Sequence, residues 1–186
     1  MLLRRFLIFE TVEWTSIPAS VINSTEHQRI NLEAAQQAVV LLRNNDNVLP
    51  VIGNGKHLIA VVGPQATAKA GLLSDYATEQ ACAPSSTESD TDYCITSIAE
   101  AVTAANGGLA ANRTLVAAGV DVNSNNTNGI AAAVALAQTA DIIFLCLGID
   151  KSIEGEGHDR VCKYLSEESE HREWSTVVIV TVIFIS

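Results

Sequence analysis

Hydrophobic and polar positions along the 186-residue chain define two kinds of segment. Apolar residues at three- and four-residue spacing predict helices, and short uninterrupted apolar runs predict strands buried on both faces of a sheet. The predicted helices lie at residues 26–42, from residue 95 to near residue 106, and at residues 130–140. The predicted strands lie at residues 57–63, 114–119 and 141–150, and a further candidate strand lies at 177–185. Helices therefore alternate with strands along most of the chain.

This alternation predicts parallel strands joined by right-handed crossovers. We expect a three-layer α/β sandwich, in which helices flank a mostly parallel sheet. The helix at residues 130–140 is apolar nearly all round, so we expect it to be buried against the sheet. The polar loop before it, residues 122–129, is expected to supply its N-cap. Residues 1–22 show no clear period and are interpreted as a linker or remnant, with the domain spanning 23–186.

The loop that follows the third strand contains the densest set of chemically active side chains. Open α/β sheets place their sites beyond the carboxyl ends of the strands, where this loop would lie. Its candidate residues are Asp150, Glu154, Glu156, His158, Asp159 and Arg160. From the residues alone, solvated carboxylates, a surface histidine and an Asp-Arg ion pair would explain the loop, and Asp150 either binds a ligand or caps a turn. A metal site is disfavoured, because no second ligand cluster accompanies the loop.

Composition narrows the classes of partner. The formal net charge of −10 argues against nucleic acid and anionic membrane, because phosphates and acidic lipids attract Lys and Arg. No apolar run is long enough to span a bilayer. No cysteine pair has C-x-x-C spacing, and residues 63–65 lack the glycine pattern of a nucleotide-binding loop. We therefore expect neither a metal nor a cofactor.

The cysteines and the glycosylation sequons bear on the compartment. Cys146 lies within the third strand and is expected to be a buried apolar residue. Cys82 and Cys94 flank a polar loop and could form a disulfide bond in an oxidising compartment. Three Asn-x-Ser/Thr sequons begin at Asn23, Asn112 and Asn125. The N-terminus makes no convincing signal peptide, because its apolar core is too short. The sequence leaves the location of the protein open.

Five segments together resemble one known family, the C-terminal domain of glycoside hydrolase family 3. Residues 147–160, LGIDKSIEGEGHDR, are very similar to the family pattern LGLDQSIEAEGHDR. Residues 59–66, IAVVGPQA, resemble its strand and loop IAVIGPNA. The other similar segments lie at residues 32–50, 72–77 and 131–141. The order and spacing of all five agree with the family over about residues 23–160, and we expect residues 161–186 to be a divergent or truncated end.

The resemblance implies a retaining glycosidase acting on a β-linked oligosaccharide or glycoside, either a β-glucoside or a β-xyloside. In that family a (β/α)8 barrel carries the nucleophilic aspartate, and the α/β domain contributes the acid/base glutamate. Two carboxyl groups about 5–5.5 Å apart are needed for retention. Glu156, between Gly155 and Gly157, is the preferred acid/base, with Glu154 as the alternative.

The remaining loop candidates, Asp150 and residues 158–160, would bind substrate if the resemblance holds. The 186 residues contain no barrel, so we expect the chain alone to have little or no activity. The other hypothesis is a non-catalytic α/β module that binds carbohydrate or docks onto a separate barrel. Members of the family are usually secreted.

Overall fold

The computed structural model describes residues 13–73, 95–157 and 179–184. The helices are α1 (Thr25–Ala38), α2 (Ile98–Ala105) and α3 (Ile130–Ala137). The strands are β1 (Ile59–Val62), β2 (Thr114–Ala117), β3 (Ile142–Leu147) and β4 (Ile179–Phe184). Contacts divide the chain into two units, Met1–Asn45 and Asp46–Ser186. The first unit contains α1, and the sheet with α2 and α3 lies in the second. The predicted boundary at residues 22 and 23 stays a prediction.

Helix α1 starts after a residue whose side chain caps it. The Ser24 hydroxyl accepts a hydrogen bond from the His27 amide at 3.3 Å, which satisfies one of the free amides of the first turn. Arg29 forms ion pairs with Glu26 at 2.8 Å and Glu33 at 3.2 Å along the exposed surface. The helix ends at Ala38, before the expected residue 42, because Val39 is already extended. The β-branched pair at 39 and 40 disfavours a further helical turn.

The sheet has the strand order β2-β1-β3-β4. Strand β1 pairs in parallel with β2 and with β3, so that Ile59 lies opposite Thr114 on one side and Ile142 on the other. The predicted strand near residues 177–185 is confirmed as β4, which pairs antiparallel to β3. The sheet is therefore mostly parallel, as expected.

The two faces of the sheet carry separate apolar clusters. On one face Ile59 and Val61 pack with Ala99 of α2, together with Ile142 and Cys146 of β3. On the other face the alternate residues Ala60 and Val62 pack with Ala140 and with Leu136 of α3. Because successive strand residues point to opposite faces, helices cover both sides of β1. This arrangement is the predicted three-layer α/β sandwich.

Helices α2 and α3 begin in different ways. A capping box starts α2, in which the Ser97 hydroxyl accepts from the Glu100 amide and the Glu100 carboxylate accepts from the Ser97 amide. The loop at residues 122–129 supplies the N-cap of α3, as predicted, but the capping residue is Gly129, which makes no side-chain hydrogen bond. A Cβ at Gly129 would overlap the carbonyl oxygen of Gly119, so the close backbone approach excludes a capping side chain.

Helix α3 is also less buried than its composition suggests. Ile130 is 44% exposed and Val134 is 50% exposed, and no residue of the helix is fully buried. The expected packing of α3 against the sheet is confirmed for the face around Leu136, while Ile130 and Val134 remain exposed. Among the residues that the structure describes, no helix combines the length and hydropathy needed to cross a membrane.

Candidate functional site

The strand order places a crevice between β1 and β3. From β1 the chain crosses through α2 to β2 on one side, and then returns through α3 to β3 on the other side. The order thus reverses at β1, and ligands of open α/β sheets bind beyond the carboxyl ends of the strands at such a point. The loop after β1 and the acidic loop after β3 (residues 150–157) both begin there.

The loop after β1 lies across the end of β3. The Gly63 amide donates to Ala117 O at 3.0 Å, and the Gln65 amide donates to Cys146 O at 3.3 Å. Gly63 has a φ of +113°, and a Cβ there would overlap the carbonyl oxygen of Cys146. Glycine is therefore required by both the backbone angle and the space. The result is a backbone connection between two strand ends that form the crevice.

Asp150 forms a hydrogen-bonded turn at the start of the acidic loop. Its Oδ1 accepts from the Ser152 amide at 2.9 Å and from the Ser152 hydroxyl at 2.6 Å. Its main-chain oxygen accepts from the amides of Ile153 at 3.0 Å and Glu154 at 3.2 Å. Of the two roles considered for Asp150, the structure contains the turn cap, which fixes the backbone leading to the glutamates.

The two glutamates differ in exposure. Glu154 is half-buried, and its amide donates to the main-chain oxygen of Asp150. Glu156, two residues further along the loop, is exposed. Of the two glycines that flank Glu156, Gly157 has a positive φ of 75°. The structure thus brings Asp150, Glu154 and Glu156 together on one loop at the carboxyl edge of the sheet. The other predicted site residues, 158–160, lie outside the described residues.

Two amide side chains at this edge were not recognised from the sequence. Gln65 is fully buried, and its Nε2 donates to Ile149 O over a long 3.5 Å. Asn123 follows β2, and its Nδ2 donates to Ser152 O at 3.3 Å. Both residues follow the end of a predicted strand, and this position was the only feature of the sequence that could have marked them as candidates. Their partners are 84 and 29 residues away along the chain, which no local pattern reveals.

Metal-binding side chains, cysteines and glycosylation sequons were the other candidate features of the sequence. Within residues 13–73, 95–157 and 179–184, no three metal-binding side chains come together. Cys146 is buried as predicted, and burial raises the pKa of its thiol to about 11, so it is a thiol at neutral pH. Cys82 and Cys94 lie outside the described residues. The sequon asparagines Asn23, Asn112 and Asn125 are all exposed.

Comparison with known proteins gives one consistent family. The family described as "Glycosyl hydrolase family 3 C-terminal domain" matches residues 39–181. "Exo-1,4-beta-xylosidase xlnD" of Aspergillus niger is 33% identical over 145 residues, which are 76% of this chain and 16% of that protein. "Probable beta-D-xylosidase 6" of Arabidopsis thaliana is 30% identical over 150 residues, or 80% of this chain and 17% of that protein.

A solved structure shares the fold. It is described as "GH3 exo-beta-xylosidase (XlnD) in complex with xylobiose aziridine activity based probe" and superimposes with a TM-score of 0.55 at 24% identity. The match covers 82% of this chain and 17% of that one. The chain therefore spans about one-sixth of the length of the proteins it resembles, 16% to 17% in the cases above.

Proposed function

Since this chain belongs to the family of glycosyl hydrolase family 3 C-terminal domains, we propose that it supplies the acid/base carboxyl of a retaining β-glycosidase. The observation that carries the proposal is the position of the acidic loop, which follows β3 at the reversal of strand order. The relatives described above are named as xylosidases, which favours a β-linked xyloside as substrate over a β-glucoside.

We assign the acid/base role to Glu156 and keep Glu154 as the alternative. Exposure of Glu156 supports this choice, because an acid/base must reach the glycosidic oxygen. Glu154 is half-buried, and its amide is engaged in the Asp150 turn. We assign Asp150 and residues 158–160 to substrate binding on the strength of the loop's resemblance to the family. Asp150 would also hold the loop through the turn that it caps.

The nucleophile in this proposal comes from a barrel domain or chain outside the 186 residues. Retention of configuration needs that second carboxyl about 5–5.5 Å from the first. A lone acid/base can protonate a leaving group but cannot form the covalent intermediate. We therefore expect the purified chain to turn over neither aryl β-xyloside nor aryl β-glucoside. Turnover that Glu156→Gln abolishes would contradict this part of the proposal.

A chimeric enzyme tests the acid/base role directly. Residues 39–181 would replace the matching segment of the Aspergillus niger exo-1,4-β-xylosidase, and kcat/KM, which reports the cleavage of the glycosidic bond in a two-step retaining enzyme, would be measured on two aryl xylosides. With a poor leaving group, which needs a proton, Glu156→Gln should lower the rate of glycosidic bond cleavage about 10²- to 10⁴-fold. With a dinitrophenyl group, which leaves without a proton, cleavage should fall far less.

Two control variants make the test specific. Glu154→Gln keeps the same change of charge two residues away, and Asp121→Asn removes an exposed carboxyl from a different loop. Neither should show the dependence on leaving group. If Glu154→Gln shows it and Glu156→Gln does not, the roles are exchanged. If neither glutamate shows it in an active chimera, the acid/base proposal fails, and binding of xylo-oligosaccharide by the isolated chain would favour the non-catalytic module.

A further inference from the structure

The acidic loop is held by side-chain amides from two neighbouring loops. Gln65, after β1, donates to the carbonyl of Ile149, which immediately precedes the Asp150 turn. Asn123, after β2, donates to the carbonyl of Ser152 inside that turn. Both acceptors lie within seven residues of Glu154 and Glu156 along the chain. We propose that Gln65 and Asn123 form an amide clamp that positions the acidic loop, with Gln65 as its buried member.

The environment of Gln65 argues against a purely structural role. The residue is 0% exposed, and among the described residues no donor reaches its Oε1. Turning the amide over would place Oε1 against the Ile149 carbonyl, so that two acceptors would face each other. A buried amide with an unmet acceptor is unfavourable, and an apolar side chain of the same size would avoid that cost. Compared with such an apolar side chain, the amide of Gln65 provides one additional interaction, the hydrogen bond to Ile149 O.

The surrounding backbone leaves Gln65 little freedom to move. A Cβ at Gly71 would lie 3.0 Å from Gln65 Oε1 and 3.8 Å from the Cβ of Asp150. Gly71, Gln65 and Asp150 are therefore closely packed, and Ile149 is only 8% exposed. A fixed Ile149 carbonyl fixes the start of the Asp150 turn, whose oxygen accepts from the Glu154 amide. The clamp thus acts on the glutamates through the backbone.

Hydrogen exchange on the 186-residue chain tests the clamp without any need for turnover. The variants are Gln65→Met, which keeps the size and removes the amide, and Asn123→Ala. Each should accelerate exchange of the Ile153 and Glu154 amides about two- to tenfold, the range for one lost neutral hydrogen bond. Exchange of the β1 amides should stay unchanged. Gln138→Met, at an exposed position that ends α3, is the matched control and should leave the acidic loop unchanged.

The pattern of exchange shows whether the two amides position the acidic loop or only stabilise the whole fold. Faster exchange confined to the acidic loop supports the clamp. Equal acceleration in the loop and in β1, or a Gln65→Met chain that does not fold, would show that Gln65 merely stabilises the fold. Unchanged loop exchange in both folded variants would also overturn the proposal.

The link to the glutamates rests on the proposed acid/base function and has its own measurement. In the chimera, Gln65→Met should lower kcat for the poor leaving group about two- to tenfold with little change in KM, because loop placement and not substrate binding is altered. Suppose that Gln65→Met accelerates exchange in the acidic loop, but neither Glu154→Gln nor Glu156→Gln changes the activity of the chimera. The clamp would then be supported, and the acid/base role would be refuted. If Gln65→Met leaves exchange in the acidic loop unchanged, but the activity of the chimera depends on one of the glutamates, the acid/base role would be supported and the clamp would be refuted.

Discussion

Replacing Asn106 should destabilise the protein more than its small size suggests. The side chain is 1% exposed and makes three hydrogen bonds to backbone groups. Its Oδ1 accepts from the Gly55 amide at 3.2 Å, and its Nδ2 donates to His57 O at 3.0 Å and Arg113 O at 3.2 Å. The residue therefore connects the segment before β1 to the segment before β2. At about 1 kcal/mol for each bond, Asn106→Ala should lower the free energy of unfolding by about 3 kcal/mol.

Urea unfolding followed by circular dichroism measures this change. With a slope of about 2 kcal/mol per molar urea, the midpoint should fall by about 1.5 M. Asn128→Ala is the control, since Asn128 is exposed, and it should change the free energy by less than about 0.5 kcal/mol. A midpoint for Asn106→Ala within about 0.3 M of the original protein would refute the reasoning, since that shift corresponds to less than one bond.

The isosteric variant Asn106→Asp separates hydrogen bonding from charge. The new carboxyl would face two carbonyl oxygens in a buried position, which raises its pKa above the unfolded value of about 3.9. A raised folded pKa gives stability that is present below the unfolded pKa and is lost as the pH rises through the folded value. The deficit of this variant should therefore be larger at pH 7 than at pH 4. An equal deficit at both values would show that the charge is solvated.

Two further predictions concern the termini of α2 and β1. The hydrogen bond from Lys69 is the main cause that lowers the pKa of Glu100 from its ordinary 4.5 to about 2, so its contribution exists above pH 4.5 and is lost as the pH falls towards 2. In thermal unfolding from pH 6 to 2.5, Glu100→Gln should therefore flatten the fall in Tm, and an unchanged slope would contradict this. Gly63→Ala should destabilise by about 2–4 kcal/mol, because its Cβ meets Cys146 O. Gly108→Ala, whose φ is +73° and ψ is −174° and whose Cβ position is open, should lose only the cost of the strained backbone, about 1–3 kcal/mol; a loss for Gly63→Ala by urea titration no larger than that for Gly108→Ala would refute the steric argument.

The main elements of the fold were predictable because their signals are local. The apolar run at residues 57–63 predicts a strand with both faces covered, and all four residues of β1 are buried. Ser24 marks the start of α1 through its own short hydrogen bond. The polar loop after β3 could be selected as the candidate site because its side chains follow a buried strand directly. These features depend on neighbours within a few residues.

Features that depend on distant backbone were not predictable in this way. That the N-cap of α3 is a glycine depends on the close approach of Gly119 to Gly129, and so on how the start of α3 meets the segment after β2. Gln65 and Asn106 bind carbonyls that come close only once the sheet is formed. The composition of α3 predicted its packing against the sheet, but it did not say which face of the helix makes that contact. Hydrophobic pattern predicts elements, and the order of strands decides their contacts.

The position of the candidate site follows from that order. A right-handed crossover in one direction places its helix on one face of a parallel sheet, and a crossover in the opposite direction places its helix on the other. Helix α2 packs with Ile59 and Val61, whereas α3 packs on the side of Ala60 and Val62. The two crossovers therefore run in opposite directions, the first from β1 to β2 and the second from β2 past β1 to β3, so that β1 and β3 are neighbours joined by no single crossover. Two helices on opposite faces thus open the crevice in which the acidic loop begins.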